Sequence, residues 1–347
     1  MIAPAGIALI AGDAHPALAR ELAAIAGIEL TRTTLSTFAD GETRVRIEGD
    51  VQGADVFVLQ PTSTPTNERL MTLALITDAA LAAGAAQVTA VMPYFGYARQ
   101  DVRSRPGEAR SAQLAARLLG CAGVARVIAL ELHSPALESA FPMPLVHLCA
   151  DDLMLPVIRG WALPRLAVVS PDAGGLKRAQ RYAAGLAVPL AVVSKTRPAA
   201  DVSASLQVLG DVRGRACVIV DDMASTGGTI AGAARALRGA GATQVHAVFV
   251  HAVFAPGALD RICDAGVDRI ATTDSVRTEF DPRLQIVSTA PLLAGALARL
   301  APGRIFAEPE RGAPPELSRL QEERSHEAHA QPHQVDIGFV GPVLDEA

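Results

Sequence analysis

The chain has 347 residues, of which 50% are hydrophobic, and it carries a formal net charge of −5 at pH 7. This length suits about two α/β domains, and the apolar content is high enough for each domain to bury a core. The nine acids and four arginines of residues 301–347 account for the whole net charge. Residues 1–300 therefore lack the basic field by which nucleic-acid-binding proteins attract their partners.

Short apolar runs alternate with alanine-rich segments of helical spacing through the first 300 residues. Strands are predicted over residues 7–11, 55–60, 87–92, 126–130, 166–170, 190–194, 216–220 and 244–250. Helices are predicted over residues 16–26, 67–83, 111–119, 175–184 and 229–239. Such alternation favours parallel sheets joined by crossover helices. We therefore predict an α/β fold with two mainly parallel sheets flanked by helices.

The same pattern predicts the domain organisation. We expect an N-terminal domain over residues 1–150 and a C-terminal domain over 151–300, whose last helix is able to pack back on the first domain. Residues 301–347 are rich in proline, glutamate and histidine, which predicts a disordered tail.

The compartment is predicted from the start of the chain and from its cysteines. The N-terminus has no basic segment before an apolar run, and no charge-free apolar run reaches the roughly 18 residues of a membrane span. The four cysteines lie far apart in apolar surroundings, which predicts buried reduced thiols. We therefore expect a soluble, cytoplasmic protein.

The stretch CVIVDDMASTGGTI, residues 217–230, carries the clearest chemical signal. Its strand is expected to end at Asp221 and its helix to begin near Thr229, so that the hydroxyls and backbone N–H groups between them form an anion cradle. Two adjacent carboxylates would repel a phosphate, so Asp221 and Asp222 need sugar hydroxyls or a cation as partners. The stretch predicts a site for a phosphorylated sugar. A capped turn with solvated acids is the alternative.

Three further segments follow predicted strands. The segment MPYFGYARQD, residues 92–101, sets aromatic rings beside Arg99 and Gln100, as in a purine nucleotide site, although a packed aromatic plug explains Tyr94 and Phe95 equally well. Asp172, in the turn SPDAGG, offers the oxygen ligand that Mg²⁺ prefers. Lys195, in SKTRP, is one of only two lysines in the chain.

Seven motifs in order carry a resemblance to a known family. They are FADGET (38–43), PTNERLMTL (65–73), AVMPYFGYARQD (90–101), LELHS (130–134), VVSPDAGG (168–175), SKTRP (194–198) and VDDMASTGG (220–228). Together they resemble ribose-phosphate diphosphokinases, also called phosphoribosyl pyrophosphate synthetases, over residues 7–300. The resemblance implies two domains of type I phosphoribosyltransferase fold. It also implies transfer of pyrophosphate from ATP to the 1-hydroxyl of ribose 5-phosphate, with Mg²⁺ and release of AMP, by a homo-oligomer such as a dimer or hexamer.

The resemblance also implies roles for individual residues. The residues implied to bind ATP are Phe38, Asp40, Glu42, Arg99, Gln100 and, less directly, Asp101. The residues implied to bind ribose 5-phosphate are Asp221, Asp222, Ser225, Thr226, Gly227, Gly228 and Thr229. His133 and Asp172 are implied metal ligands, and Lys195 and Arg197 are implied to stabilise the transition state.

Two positions depart from the family pattern. Thr196 stands where the family often has an arginine, and Ser225 stands where its best-known members have an aspartate. The segment GEARS, residues 107–111, is similar to archaeal members and leaves activation by phosphate and inhibition by ADP open. A noncatalytic regulatory relative and a phosphoribosyltransferase that consumes phosphoribosyl pyrophosphate are the alternatives. The retained Lys195 and Arg197 favour an enzyme over the former, and the ARQD segment argues against the latter.

Overall fold

The computed structural model describes residues 6–196 and 205–301, without the side chains of residues 195, 196 and 205. The predicted fold class is confirmed, since parallel sheets flanked by helices form both halves of this part of the chain. Arg197 and the predicted tail from residue 302 onward lie outside the described residues.

The first half contains a five-stranded sheet in the order β1-β4-β5-β6-β7, with all neighbours parallel. A separate antiparallel hairpin, β2–β3, stands beside it. The elements are β1 (Ile7–Ala11), α1 (Pro16–Ala26), β2 (Thr33–Thr37), β3 (Thr43–Ile47), β4 (Asp55–Leu59), α2 (Thr66–Ala82), β5 (Gln87–Met92), α3 (Ser111–Cys121), β6 (Val124–Leu130), a 3₁₀ helix (Pro135–Ala140) and β7 (Leu145–Leu148).

The second half contains a seven-stranded sheet in the order β10-β9-β8-β11-β12-β13-β14. Its neighbours are parallel except for the edge strand β10, which pairs antiparallel with β9. The elements are α4 (Asp151–Gly160), β8 (Ala167–Ser170), α5 (Leu176–Leu186), β9 (Leu190–Thr196), β10 (Ser205–Leu209), β11 (Ala216–Ala224), α6 (Gly228–Gly239), β12 (Gln244–Ala252), α7 (Ala258–Asp264), β13 (Arg269–Thr273), β14 (Leu284–Val287) and α8 (Ala290–Leu300).

Local sequence signals set the ends of α1. Pro16 occupies the first helical position, where its missing N–H costs nothing. The imidazole Nδ1 of His15 accepts the backbone N–H of Leu18 at 3.1 Å. Gly27 ends the helix with φ 65°, a left-handed conformation that glycine adopts without strain. The helix therefore has the bounds that the sequence predicts.

One core cluster joins the two sheets. It includes Leu9 and Ile128 of the first sheet and Val218 and Val250 of the second, all buried. Helix α8 contributes Leu293 and other apolar residues to this cluster and packs against α1. The central strands are buried on both faces, which explains why they form continuous apolar runs and do not alternate with polar residues.

Two expectations need correction. Strand β11 does not end at Asp221 but continues to Ala224, because its pairing with β12 continues as far as Ala224 and Ala252. The four cysteines are free, but only Cys217 is buried. Cys121 is exposed because it lies at the end of α3, away from the buried face of that helix. Within the described ranges, no helix is both long and apolar enough to cross a bilayer.

Candidate active site

The candidate site lies where strand ends of the two sheets face each other. Strands β5 and β6 of the first sheet lead into residues 93–101 and 131–134, and β11 of the second sheet carries the acid pair. In parallel sheets, ligands bind beyond the carboxyl ends of the strands. The arrangement therefore brings loops of both halves to one place.

The acid pair is held by residues from both halves. The Oδ2 atom of Asp222 lies 2.7 Å from Nδ1 of His133, which follows β6. The Nη1 atom of Arg178 lies 3.5 Å from Oδ1 of Asp221 and 3.6 Å from Oδ1 of Asp222. Oδ1 of Asp221 also accepts the backbone N–H of Asp222 at 2.9 Å. Two predicted site residues from different halves, His133 and Asp222, are thus in direct contact.

This environment shifts the pKa values of the two neighbouring acids in opposite directions. Burial, together with the neighbouring charge of Asp222, raises the pKa of Asp221 well above its usual range. Burial also opposes ionisation of Asp222, but the hydrogen bond with His133 and the charge of Arg178 outweigh it and hold the pKa of Asp222 well below its usual range. The hydrogen bond with Asp222 raises the pKa of His133 in spite of its burial. The negative charge of the pair therefore resides mainly on Asp222.

A second acid, Glu131, organises the arginines behind this pair. It directly follows β6 with φ 41° and is only 3% exposed. Its Oε1 accepts hydrogen bonds from Nε of Arg178 and Nη2 of Arg181, each at 2.9 Å, and its Oε2 accepts the backbone N–H of Ala150 at 3.1 Å. Burial raises the pKa of Glu131, but the charges of Arg178 and Arg181 outweigh that effect and lower it overall. Sequence reasoning missed Glu131 and Arg178, although an acid immediately after the apolar run of residues 127–130 is a visible signal.

The loop after the acid pair is tightly placed. Gly227 has φ 74°, and a Cβ there would lie 2.6 Å from the carbonyl oxygen of Ala258. The backbone N–H of Ala255 donates to the carbonyl of Ser225 at 3.0 Å. The loop residues that reach the surface are Thr226, Gly228 and Thr229, with Ser225 half-buried. Helix α6 begins at Gly228, so the exposed hydroxyls of the loop lie at a helix N-terminus, the setting that favours an anion.

The aromatic segment after β5 has two parts. Tyr94 and Phe95 are buried and pack against His251 and Phe141, with ring centroids 5.1 and 5.0 Å apart. Packing therefore explains these two rings. Arg99 and Gln100 are exposed, and Asp101 accepts a hydrogen bond from the hydroxyl of Ser134, the neighbour of His133. Asp101 therefore lies close to His133, while the side-chain oxygen of Gln100 accepts a hydrogen bond from the hydroxyl of Ser111 at 2.6 Å.

The other residues predicted to bind the nucleotide lie on the β2–β3 hairpin. Phe38, Asp40 and Glu42 are all exposed in its loop. The backbone N–H of Phe38 donates to the carbonyl of Glu42 at 2.8 Å, and the guanidinium of Arg44 lies 5.9 Å from the centre of the Phe38 ring. The hairpin packs on α2 through β3. The two sets of residues predicted to bind the nucleotide, on the β2–β3 hairpin and after β5, thus lie on different elements of the first half.

Asp172 and the predicted basic pair lie in the second half. Asp172 is exposed in the turn before α5, where its Oδ1 accepts the backbone N–H of Gly175 at 3.0 Å. The backbone of Lys195 pairs with that of Leu206 in the β9–β10 ribbon. Its side chain and all of Arg197 lie outside the described residues.

Two mainly parallel sheets, with an acid pair on the central strand of the second and a glycine-containing loop after that strand, define an α/β protein of phosphoribosyltransferase type. Residues 7–123 match the family model described as the N-terminal domain of ribose phosphate pyrophosphokinase, and residues 153–285 match the phosphoribosyl transferase domain. The chain belongs to the ribose-phosphate pyrophosphokinase family.

Individual relatives match almost from end to end. The ribose-phosphate pyrophosphokinase of Burkholderia pseudomallei is 42% identical, and the match covers 87% of this chain and 98% of that protein. The enzyme of Ralstonia nicotianae is 40% identical over 87% of this chain and 99% of its own length. The crystal structure of phosphoribosylpyrophosphate synthetase from Mycobacterium smegmatis aligns with a TM-score of 0.81 at 38% identity, covering 85% of this chain and 98% of that one.

Proposed function

We propose that this protein transfers pyrophosphate from ATP to the 1-hydroxyl of ribose 5-phosphate, giving phosphoribosyl pyrophosphate and AMP. The observation that carries the proposal is the contact between His133 and Asp222, which joins the first half to the sugar-phosphate loop of the second. A transfer between two substrates needs both held in one place, and a site shared by two halves provides that. Relatives named ribose-phosphate pyrophosphokinase, about 40% identical over nearly their whole length, support the same reaction.

The loop of residues 225–229 is the proposed site of the 5-phosphate. Its exposed hydroxyls and the N-terminus of α6 supply hydrogen-bond donors and a positive dipole end. Asp221 is the acid proposed to form hydrogen bonds with the ribose hydroxyls, because its side chain is 13% exposed, while that of Asp222 is 5% exposed and is engaged by His133. Ser225 donates or accepts a hydrogen bond here but adds no negative charge beside the phosphate.

The proposed ATP site lies on the first half. Arg99 and Gln100 are exposed after β5, and a guanidinium fork there suits a phosphate chain. Asp101 is proposed to orient this segment through its bond to Ser134. Phe38, Asp40 and Glu42 are proposed to contact the base and sugar of a nucleotide, since an exposed ring offers a stacking face and exposed carboxylates accept hydrogen bonds from hydroxyls.

Mg²⁺ is the proposed cofactor, and the residues present fit it. The described residues form no cluster of three or more histidine, cysteine or acidic side chains able to hold a metal. That suits an ion which usually takes one or two protein ligands and fills its other positions with phosphate oxygens and water. Asp172 offers an exposed carboxylate, and His133 has its Nδ1 fixed by Asp222, as in metal sites where a carboxylate orients the imidazole. When bound, the ion would neutralise charge on the phosphates.

Lys195 and Arg197 are proposed to stabilise the charge that develops on the transferred group. Phosphoryl-type transfer depends mainly on alignment and charge stabilisation. Two cations separated by a single residue supply positive charge for that purpose. Thr196 between them adds no cation, so we expect these two side chains to carry the effect.

We also propose that copies of the chain associate. Helices α2 and α3 expose a shared apolar face that includes Met71, Leu114 and Leu118, which are 58%, 48% and 51% exposed. Exposed apolar surface of this kind favours association between proteins. Size-exclusion chromatography with light scattering tests this directly, and a monomer across the micromolar range would contradict it.

The reaction is tested by incubating the protein with ATP, Mg²⁺ and ribose 5-phosphate and following AMP by chromatography. AMP is expected only when ribose 5-phosphate is present. If AMP is absent across a range of phosphate and metal concentrations, the synthetase proposal fails and a noncatalytic regulatory role is favoured.

A further inference from the structure

Arg178 occupies a costly place for an arginine. It lies in the first turn of α5, which begins at Leu176, and it is 8% exposed. A cation in the first turn of a helix faces the positive end of the helix dipole. Burial also removes its hydration, which is tolerated only when opposite charges lie close by. The position of Arg178 therefore requires nearby carboxylates.

Three carboxylates supply that compensation, and they come from both sheets. Glu131, after β6 of the first sheet, bonds Nε of Arg178 at 2.9 Å. Asp221 and Asp222, on β11 of the second sheet, lie 3.5 and 3.6 Å from Nη1. Because the guanidinium is planar and rigid, fixing Nε also fixes the direction of Nη1. Glu131 thus determines where the cation stands relative to the acid pair.

Glu131 is itself held by further hydrogen bonds, from Arg181 and from the backbone of Ala150. Its Oε1 also accepts from Nη2 of Arg181 at 2.9 Å, and the Nε of Arg181 donates to Oδ2 of Asp151 at 2.7 Å. The backbone N–H of Ala150 fixes the other oxygen at 3.1 Å. Hydrogen bonds at both oxygens hold the Glu131 carboxylate in place. The carboxylate in turn holds the guanidinium of Arg178.

We propose that Glu131 and Arg178 are positioning residues for ribose 5-phosphate, with Glu131 holding Arg178 so that one nitrogen stands between Asp221 and Asp222. Two adjacent carboxylates repel each other, and a cation equidistant from both keeps them together on the side that meets the sugar. This inference rests on the proposed function, because it assigns the acid pair to the sugar.

The test replaces Glu131 with glutamine and compares it with a matched control. Asp268 is the control position, because it also pairs with an arginine, Nη2 of Arg238 at 2.7 Å, and accepts a backbone N–H, from Val245 at 2.8 Å. Asp268→Asn therefore removes a carboxylate from an arginine pair away from the site, just before β13 of the second sheet, where the side chain is 42% exposed. For each variant and the wild type, AMP formation is measured with ribose 5-phosphate varied at saturating ATP, and then the reverse. Thermal unfolding is recorded for each.

Glu131→Gln is expected to raise the KM for ribose 5-phosphate by about 10-fold to 100-fold, the range for losing a charged hydrogen-bond partner. The KM for ATP is expected to stay within about twofold, since the acid pair is assigned to the sugar. Asp268→Asn is expected to lower the midpoint of unfolding while leaving both KM values unchanged. If Glu131→Gln lowers only the midpoint and leaves the KM for ribose 5-phosphate unchanged, the positioning role is overturned.

A second variant covers the case in which Glu131→Gln does not fold. Glu131→Asp keeps the charge but withdraws it by one methylene, so the bond to Arg178 lengthens while the network stays neutralised. The same rise in the KM for ribose 5-phosphate is expected, and a wild-type KM would again overturn the proposal. A wild type that forms no AMP would instead contradict the proposed function, so the two failures are distinguishable.

Discussion

The Nδ1 atom of His133 and the Oδ2 atom of Asp222 lie 2.7 Å apart although the residues are 89 positions apart in the chain. The first follows a strand of one sheet, and the second lies on a strand of the other. Only Asp222 is engaged by His133, and burial together with the charge of Asp222 makes ionisation of Asp221 the less favourable of the two. The two neighbouring acids therefore have different effects on stability.

Replacing each acid with asparagine should separate these effects. Asp222→Asn is expected to lower the free energy of unfolding by about 3 kcal/mol at neutral pH, because it leaves the buried Arg178 and the exposed His133 with one fewer opposite charge. Asp221→Asn is expected to leave stability unchanged or to raise it, since burial already disfavours the ionised form of Asp221, yet it should greatly reduce turnover. Urea unfolding and AMP assays measure both quantities. Equal destabilisation by the two substitutions would contradict the assignment of charge.

Gly227 offers a test of the loop's backbone. Gly227→Ala places a Cβ 2.6 Å from the carbonyl oxygen of Ala258 at φ 74°, so the loop must shift. The expected result is a destabilisation of about 2–3 kcal/mol, from the left-handed conformation plus the clash, and weaker binding of ribose 5-phosphate.

Gly257 is the matched control for this loop. It has φ 73°, but a Cβ there would meet nothing within 4 Å. Gly257→Ala should therefore cost only the roughly 1–2 kcal/mol of the left-handed conformation and leave substrate affinity unchanged. Equal losses of stability and affinity in both variants would show that close packing at Gly227 does not matter.

The two lysines provide a third comparison. Lys195→Ala is expected to reduce kcat by about 100-fold to 1000-fold, as for loss of one donor that stabilises transition-state charge, with ATP affinity retained. Lys177, exposed on α5, has no assigned role, so Lys177→Ala should leave kcat unchanged. Steady-state kinetics and equilibrium nucleotide binding measure the two effects. Joint loss of turnover and nucleotide affinity in Lys195→Ala would show that this residue binds ATP in the ground state.

His246 predicts an acid sensitivity that is unrelated to the site. It is 2% exposed, its Nδ1 has no hydrogen-bond partner among the described residues, and burial lowers its pKa to about 4. The unfolded chain takes up this proton near pH 6.5, above the pKa of the folded state. The stability associated with neutral His246 is thus present above about pH 6.5 and is lost as the pH falls toward 4.

Urea unfolding from pH 7 to pH 4 measures this loss, which is expected to be of the order of 2 kcal/mol from His246. A His246→Leu variant should show a shallower fall, because it has no proton to take up. If the wild type and the variant lose stability in parallel, His246 does not contribute to the pH dependence.

Sequence alone predicts those features that depend on residues close together along the chain. The bounds of α1 follow from Pro16 and Gly27, and the acid–glycine loop is visible in residues 217–230. The end of β11 is not, because its last pairs depend on β12. Burial of Tyr94 and Phe95 was one of two open alternatives, since a packed ring and a stacking ring look alike in sequence. Glu131 and Arg178 were missed because their roles arise only when two distant segments meet.

The proposed reaction forms a bond between the 1-oxygen of ribose 5-phosphate and the β-phosphorus of ATP, and it breaks the link between the α- and β-phosphates. The most direct measurement uses ribose 5-phosphate labelled with ¹⁸O at the 1-hydroxyl, incubated with ATP, Mg²⁺ and the wild-type protein, followed by mass spectrometry of the products. If pyrophosphate is transferred to that hydroxyl, the pyrophosphorylated sugar keeps the label and the AMP is unlabelled. Label in AMP, or no pyrophosphorylated sugar at all, would contradict the account.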